Sequence, residues 1–337
     1  MKLGLDVNAA NEKGQTAMHG AADRGADRII QFLTDNGAKI DVKDQKGMTP
    51  LMLAAGSDKD GYGHPGYPAA EALLRKLGAS LAPARHLKDG LYVIEAPLNG
   101  AEGPNVAVYV TSEGVVVVDD WFDQSYEQVA ARVKAVTDQP IKYVVKTHSH
   151  ANDTDEHRKL LPSVEVVTSV NSRKHMVDAK MAAPPAIAFS REASLFLGGK
   201  EIRLLHVGRA HTDGDVVVYF PAERALYVGD LMSATNGVTN PAVDYSSGGS
   251  LEEWPRTLDQ VLQLDFQIVI PGTGYGATDK IALVAHRNKV EVVRDRVRGM
   301  VHENKSKDEI RQVLTSEFAF KPVNLHGLDG MMVEFKK

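Results

Sequence analysis

The sequence has 337 residues, of which 43% are hydrophobic and 25% are charged, values that are ordinary for a soluble globular protein. The formal net charge is −5 and no long apolar segment occurs, which argues against a nucleic-acid partner and against a membrane partner. The chain contains no cysteine, so disulfides, iron–sulfur clusters and thiolate zinc sites are excluded. Histidine, aspartate and glutamate remain as strong metal ligands, and the length allows two domains.

The N-terminal part of the sequence contains a repeated pattern. The segments NEKGQTAMHGAA and DQKGMTPLMLAA begin at Asn11 and Asp44, 33 residues apart, which is the period of ankyrin repeats. The turn glycines, the helix-opening threonines and the paired alanines resemble the ankyrin consensus, and His19 stands where that consensus has a structural, hydrogen-bonding histidine. We expect an all-α ankyrin module over residues 1–83, with about two repeats and a start that falls inside a repeat. Such a module offers a surface for a protein partner.

After this module the hydrophobic pattern alternates between strand and helix periods. Strands are predicted over residues 91–97, 105–120 (two strands joined by a Ser-Glu-Gly turn), 141–148, 164–169, 200–208, 215–221, 225–230 and 266–272. Helices are predicted over residues 123–136, 251–264 and 279–303, and a last helix begins at a capping box from Ser306 to Glu309. Two groups of strands with helices between them predict a layered α/β domain that contains two sheets.

Three short segments that follow predicted strands carry candidate metal ligands. They are THSHAND (147–153), GRAHTDGD (208–215) and VGDL (228–231). His148 and His150 lie two residues apart at a strand end, where both side chains can converge on one point. His211 precedes a tight turn, and Asp230 follows an apolar run as a ligand at a strand end would. Three imidazoles and one carboxylate can bind zinc and leave room for a water molecule.

In this order, the segments KTHSHAND, GRAHTDGDVVVYFPAERALYVGDL and VIPGTG resemble the metallo-β-lactamase superfamily over roughly residues 86–300. Within that superfamily the chain is most similar to hydrolases associated with quinoprotein relay systems and to the three-histidine class of β-lactamases. The resemblance implies an αβ/βα sandwich over residues 84–337, with two central sheets and a zinc site, usually dinuclear, at their edge.

The resemblance assigns ligands to the first metal position without a gap. His148, His150 and His211 match the three histidines of that position, and Asp230 matches the bridging aspartate. We therefore expect one firmly bound Zn²⁺.

The second metal position departs from the family pattern at three residues. Asn152 stands where the family has an aspartate, Asp153 where it has a histidine, and Thr273 replaces the histidine of Pro-Gly-His-Gly. Asp153 remains a potential ligand, and a slip of one residue would instead make it the family aspartate and bring in His157. We expect a second position that is weak or empty, or that takes a harder ion such as Mn²⁺ or Fe²⁺.

These residues predict a metal-dependent hydrolase. A metal-bound hydroxide would attack an ester, lactone, thioester or β-lactam amide of a small-molecule substrate, with Asp230 as orienting group or proton acceptor and with Asp153 and Asn152 as further catalytic positions. Asp119 and Asp120 match the family acid that supports the site loop. The alternative is a catalytically degraded scaffold that acts as an adaptor through its ankyrin surface. The compartment, cytoplasmic or periplasmic, is left open.

Overall fold

The computed structural model describes residues 6–45, 48–55, 66–79, 84–98, 101–119, 126–150, 163–181, 183–235, 238–274 and 276–336. It divides into two compact units, one comprising Met1–Pro83 with Ala96–Gly103 and the other Ala84–Glu95 with Pro104–Lys337. The domain boundary at residue 83 stays a prediction. Within the described residues, no helix combines the length and apolar character needed to cross a membrane.

The first unit is helical. Its described helices are α1 (Ala17–Ala22), α2 (Asp27–Asp35), α3 (Pro50–Ala55) and α4 (Pro68–Lys76). The first helix of each repeat begins 33 residues after the previous one, at Ala17 and Pro50, as the sequence period predicts. The core of this unit is formed by small and apolar side chains from all four helices, among them the fully buried Met18, Ile30 and Leu51.

The second unit alternates strands and helices. Its described helices are α5 (Tyr126–Lys134), α6 (Val170–Asp178), α7 (Trp254–Leu262), α8 (Lys280–His302), α9 (Lys307–Phe318) and α10 (Leu328–Glu334), with 3-10 helices at Tyr245–Ser247 and Pro322–Leu325. The strands of the chain are β1 (Arg85–Lys88), β2 (Leu91–Leu98), β3 (Ala101–Val110), β4 (Val115–Val118), β5 (Ile141–Val145), β6 (Glu165–Ser169), β7 (Ile187–Phe189), β8 (Glu192–Leu197), β9 (Lys200–Leu205), β10 (Val217–Phe220), β11 (Ala225–Thr235), β12 (Val238–Thr239), β13 (Ile268–Thr273) and β14 (Thr278–Asp279).

The strands form two sheets. One runs in the order β7-β6-β5-β4-β3-β2-β1, and its strands β4 to β7 are parallel. The other runs in the order β13-β11-β10-β9-β8. Among the described residues, β3 and β13 pair antiparallel at Thr273 and Pro104, and this pairing joins the two sheets. Because β4, β5 and β6 are parallel, the loops that follow them emerge at the same edge of their sheet.

The apolar side chains of the two sheets face each other and form a continuous core. Val116 and Val118 of β4 and Val145 of β5 lie in the same cluster as Val218 and Phe220 of β10. A second cluster packs helices α7 to α10 on the other face of β11 and β13, while α6 contacts β6 and β7. Helices therefore cover both outer faces, which confirms the predicted αβ/βα sandwich with an N-terminal helical repeat region.

The structure also contains elements that the sequence patterns did not predict. Residues 176–194 contain the end of α6, the whole of β7 and the start of β8, none of which the sequence patterns predicted. The edge strand β7 has only three residues, which is too short for a period of two to emerge. Helix α10, at the C-terminus, was not predicted either.

Candidate metal centre

The predicted metal ligands come from three different elements. His148 and His150 lie directly after β5, and His211 lies between β9 and β10. Asp230 lies inside β11 and not at its end, because β11 continues to Thr235. The pairing of β11 with β13 shifts register on either side of Gly229. This irregularity interrupts the ladder at the point where Asp230 leaves the sheet.

The three histidine side chains meet at one point. The ring centroids of His148, His150 and His211 are 4.8 to 5.0 Å apart, and each pair of rings is close to perpendicular. One ligand nitrogen from each ring lies within 4.8 Å of the other two, so this histidine cluster could hold a metal ion. His148 and His211 are buried and His150 is half-buried.

The position of the proton on His148 follows from its neighbours. The Asp119 carboxylate accepts hydrogen bonds from the Thr147 amide at 2.8 Å and from the Thr147 hydroxyl at 2.7 Å. The Thr147 hydroxyl donates its only proton to Asp119. Its oxygen can therefore act only as an acceptor for a hydrogen bond from His148 Nδ1, 3.0 Å away. The lone pair of His148 is therefore on Nε2, which points toward the other two histidines and has no hydrogen-bond partner among the described residues. Asp119 thus supports the site loop as predicted.

The other two histidines are fixed in the same way. His211 donates from Nδ1 to the Ala242 carbonyl, and His150 donates from Nε2 to the Asp244 carboxylate at 2.8 Å. Both partners can only accept, so the lone pairs lie on His211 Nε2 and His150 Nδ1. These two nitrogens are 3.0 Å apart. Two acceptors at this distance need a cation between them, either a proton or a metal ion.

The donor set fits zinc. All three nitrogens that face the centre carry lone pairs, and each opposite nitrogen is bonded to a carbonyl, a carboxylate or a hydroxyl, as is usual for histidines that bind metals. Three imidazoles with a nearby carboxylate are a common ligand set for Zn²⁺ in sites that retain an open position.

Asp230 adds a negative charge beside the histidine cluster. Its Oδ2 lies 3.8 Å from His148 Nε2 and 3.6 Å from His211 Nε2, while its Oδ1 accepts a hydrogen bond of 2.8 Å from the Ser233 hydroxyl. A Cβ at position 272 would lie 2.2 Å from Oδ1, so a glycine is required where β13 passes the carboxylate. Burial acts to raise the pKa of Asp230, but the neighbouring imidazoles of His148 and His211 and the hydrogen bond from the Ser233 hydroxyl outweigh burial and lower it.

The surroundings set different proton affinities in the histidine cluster. Burial holds the pKa of His148 well below its ordinary value despite the opposing charge of Asp230. Burial also acts to lower the pKa of His150, but the hydrogen bond to Asp244 and the charges of Asp230 and Asp244 outweigh it, and the pKa is raised. His148 is thus held neutral, which is the form that binds a metal ion.

A cleft opens beside these residues at the point where the two sheets meet. It is lined by Pro104, Asn105, Asp119, Lys146, His148, His150, Tyr227, Asp230 and Gly272. The lining comes from both sheets and from the loops that follow β4 and β5, so the cleft borders the histidine cluster.

The second metal position is described only in part. Asn152, Asp153 and His157 lie outside the described residues, as does Asp120. Thr273 is described, and its hydroxyl donates a hydrogen bond of 3.1 Å to the Ala234 carbonyl. Thr273, which stands at the position of the family histidine, is therefore hydrogen-bonded to the backbone of β11.

Two supporting groups were not predicted from the sequence. The Asp244 carboxylate and the Ala242 carbonyl lie in a segment, SATNGVTNPAVDYSSGG, in which no functional residue was recognised. Asp244 also accepts from the Ser246 amide at 2.9 Å, which is the behaviour of an aspartate that caps a turn, so its local sequence signals only a turn. Asp215 accepts from Thr212, next to His211, and Asp213 accepts from His175 Nε2 at 2.8 Å.

Comparison with protein families finds a match in each part of the chain. Ankyrin repeats, in three copies, match residues 1–82, and the metallo-beta-lactamase superfamily matches residues 154–273. The second match includes His211 and Asp230 but begins after His148 and His150.

Individual relatives are similar over the same region. The chain is 29% identical over 153 residues to a metallo-beta-lactamase type 2 of Elizabethkingia meningoseptica, covering 44% of this chain and 61% of that protein. It is 26% identical over 175 residues to metallo-beta-lactamase IND-1 of Chryseobacterium indologenes, covering 50% of this chain and 70% of that protein. The chain thus spans less than two thirds of the first of these relatives.

A solved structure shares the fold. The metallo-beta-lactamase from Pontibacter korlensis aligns with a TM-score of 0.53 and 20% identity, covering 62% of this chain and 98% of that chain. At this identity the likeness concerns the fold alone.

Proposed function

We propose that this chain, which joins N-terminal ankyrin repeats to a metallo-β-lactamase domain, is a metal-dependent hydrolase with one firmly held metal ion. The observation that carries the proposal is the direction of the imidazole lone pairs. Every ring in the histidine cluster has one nitrogen bonded to an acceptor of the protein, and the other nitrogen faces a shared point. Histidines with a purely structural role have no reason to converge in this way.

His148 Nε2, His150 Nδ1 and His211 Nε2 would hold the metal ion, for which Zn²⁺ is the first choice. Bound there, zinc would supply a Lewis acid and lower the pKa of a coordinated water molecule toward about 7. The hydrogen bonds to Thr147, Ala242 and Asp244 would fix the orientation of the three rings toward the ion.

Asp230 is the residue that would handle the proton of an attacking water. Its lowered pKa keeps the carboxylate ionised, and Ser233 holds Oδ1. Oδ2 is turned toward the histidine cluster, within 3.6 to 3.8 Å of two of its nitrogens. A water molecule in the cleft would donate a hydrogen bond to Oδ2. Asp230 would take up that proton as the water oxygen bonds to the carbonyl carbon of the substrate, and would return it to the leaving group when the bond to that group breaks.

The same residues favour substrates with a good leaving group. Thr273 is bonded to the backbone, and Asn152 is a neutral amide, so this chain has weaker ligands than its family for a second metal ion. Cleavage of an amide needs help for a poor nitrogen leaving group, which a second metal ion would provide. We therefore propose esters, lactones and thioesters as the main substrates, with β-lactams cleaved more slowly.

The first test is metal content. Mass spectrometry of protein dialysed without chelator should find about one zinc per chain, and His211→Ala should lose it. His206→Ala is the matched control, because His206 lies five residues away and its Nδ1 donates to the Asp215 carbonyl at 2.9 Å, but it does not belong to the histidine cluster. A panel of esters, lactones, thioesters and β-lactams should then be hydrolysed by wild type and by His206→Ala only.

The outcomes separate the parts of the proposal. A wild-type protein without zinc, or equal hydrolysis by the two variants, would reject metal-dependent hydrolysis and favour the adaptor hypothesis. Two zinc ions per chain would reject the weak second position while leaving hydrolysis in place.

A further inference from the structure

One loop carries the outer partners of two rings in the histidine cluster. We name residues 240–252 the 240–252 loop. Within it, the Ala242 carbonyl accepts from His211 Nδ1, and the Asp244 carboxylate accepts from His150 Nε2. The Asp244 amide also donates to the His211 carbonyl at 2.9 Å. The position of this loop therefore sets the orientation of both rings.

The C-terminal helix also contacts this loop. Glu334, the last residue of α10, accepts hydrogen bonds of 2.6 Å from the Tyr245 hydroxyl and from the Ser250 hydroxyl. It also accepts from the amides of Leu251, at 3.1 Å, and Glu252, at 3.4 Å. The hydrogen bonds that Glu334 accepts within the described residues all come from the 240–252 loop.

The side chains around these hydrogen bonds are also closely packed. A Cβ at Gly330, one helical turn before Glu334, would lie 2.1 Å from the Tyr245 ring, so only a glycine lets α10 approach this side chain. Burial, the hydrogen bond to Glu334 and its charge all raise the pKa of Tyr245, which keeps the phenol protonated as a donor. Asn240, at the start of the loop, donates to the Ala319 carbonyl at the end of α9 at 3.3 Å. The loop is thus held by α9 and α10 at several points along its length.

We infer that Glu334 is a positioning residue for the metal centre. It fixes the 240–252 loop through Tyr245 and Ser250, and the loop in turn fixes the rings of His150 and His211. The inference rests on the proposed function, because its consequence is the affinity for a metal ion. It also assigns a role to the last helix of the chain, which lies beyond the matched family region of residues 154–273.

The test compares two variants of the same helix. Glu334→Gln removes the negative charge of the side chain that accepts hydrogen bonds from two hydroxyls and two amides. Asp329→Asn makes the same chemical change in α10, but Asp329 is 75% exposed and pairs with Lys307 at 2.6 Å, away from the loop. Tyr245→Phe deletes one hydrogen bond and keeps the ring, and it replaces Glu334→Gln should that variant not fold. The full-length proteins are titrated with Zn²⁺ against a chromophoric chelator.

We expect the zinc dissociation constant to rise roughly 5- to 10-fold in Glu334→Gln and to stay unchanged in Asp329→Asn. Removing a direct partner of a metal-binding histidine weakens metal binding about 10- to 100-fold. Glu334 is one contact further from the metal ion, so its effect should be smaller. A rise no larger than in Asp329→Asn overturns the inference while leaving the proposed metal centre intact. A wild-type protein that binds no zinc overturns the proposed function instead.

Hydrogen exchange in the metal-free proteins tests the positioning itself. In Glu334→Gln the amides of Asp244 and Gly249, which bond to His211 and Asp244, should exchange faster, while those of strand β10 keep their wild-type rates. Equal acceleration of both sets would mean a general loss of stability and would reject a positioning role.

Discussion

The chain buries histidines in two regions, and the difference between them shows which ones can bind a metal ion. In the ankyrin region, His19 Nδ1 accepts from the Thr16 amide at 3.0 Å, and Nε2 faces the Met48 carbonyl at 3.1 Å. Both nitrogens are satisfied inside the repeats, as predicted for a structural histidine. In the histidine cluster each ring has only one nitrogen satisfied in this way. Burial and hydrogen bonding are common to both regions, so the distinguishing feature is the second nitrogen and what it faces.

His286 shows that a spare nitrogen is not sufficient. This residue of α8 is buried, and its Nε2 donates to the Leu231 carbonyl at 2.9 Å. Its Nδ1 has no hydrogen-bond partner among the described residues, and no metal-ligand cluster found there includes it. A metal ion needs several lone pairs that converge, which the histidine cluster has and His286 lacks.

The largest effect is expected from removing one ring of each kind. His148→Ala deletes a nitrogen that faces the metal centre and should weaken zinc binding by at least about 100-fold, because even an outer partner of a ligand can cost that much. His19→Ala should leave the zinc dissociation constant within error of wild type. Competition with a chelator of known affinity measures both. Similar affinities for the two variants would show that the convergence of lone pairs does not identify the ligands.

His286 predicts a pH dependence of the free energy of unfolding. Burial lowers its pKa from 6.5 to about 4, against the Leu231 hydrogen bond and with a small contribution from Lys289. Between pH 4 and pH 6.5 the His286 imidazole is protonated in the unfolded chain and neutral in the folded chain. The stabilisation is therefore complete above pH 6.5 and is lost as the pH falls toward 4. The full loss is roughly 3 kcal/mol, from about 1.4 kcal/mol per pKa unit.

Urea unfolding of metal-free protein at several pH values tests this prediction against His286→Gln, whose amide can donate to Leu231 but does not titrate. The free energy of unfolding of the variant should fall less steeply between pH 6.5 and 4. Parallel curves for the two proteins would show that His286 takes up a proton without cost in the folded state.

His19→Ala should lower the stability of the repeats, whereas substitution of a metal ligand should lower the affinity for zinc. The substitution leaves the Thr16 amide and the Met48 carbonyl of two successive repeats without their partner in buried surroundings. Unsatisfied buried groups cost about 1 to 3 kcal/mol, so we expect a loss of roughly 2 kcal/mol in the free energy of unfolding of the repeats. Thermal unfolding followed by circular dichroism would measure the loss. An unchanged midpoint would place the stabilisation of the repeats elsewhere.

The features that the sequence predicts are those carried by local patterns. The 33-residue period and the turn glycines predicted the repeats, and the capping box at Ser306 is formed as expected. His148 and His150 were recognisable because they follow an apolar strand at a spacing of two. Asp230 was placed at a strand end, but β11 continues past it, since a register shift at Gly229 has no signal in a run of apolar residues.

Contacts between distant segments were beyond prediction. Asp244 lies 94 residues from His150, and its neighbours indicate only a turn. Ala242 supports His211 through a backbone carbonyl, which every residue possesses, so no side-chain type could have revealed it. These contacts depend on how the loop after β12 folds back onto the segment that carries His211. A period of two or of 3.6 residues contains no information about such folding.

Asp244 provides the smallest and sharpest test of the comparison, because it changes what holds a ligand without removing the ligand. Asp244→Asn keeps the size of the side chain and replaces the charged acceptor of the bond from His150 Nε2 with a neutral one. The imidazole becomes less basic, and its ring is held less firmly, so zinc affinity should fall about 10-fold, equivalent to roughly 1.4 kcal/mol. The matched control is Asp213→Asn, which weakens an equally short bond, from His175 Nε2 at 2.8 Å, outside the histidine cluster. If both variants bind zinc as tightly as wild type, then His150 is not held by its carboxylate partner, and the tautomer deduced for this ring must be abandoned.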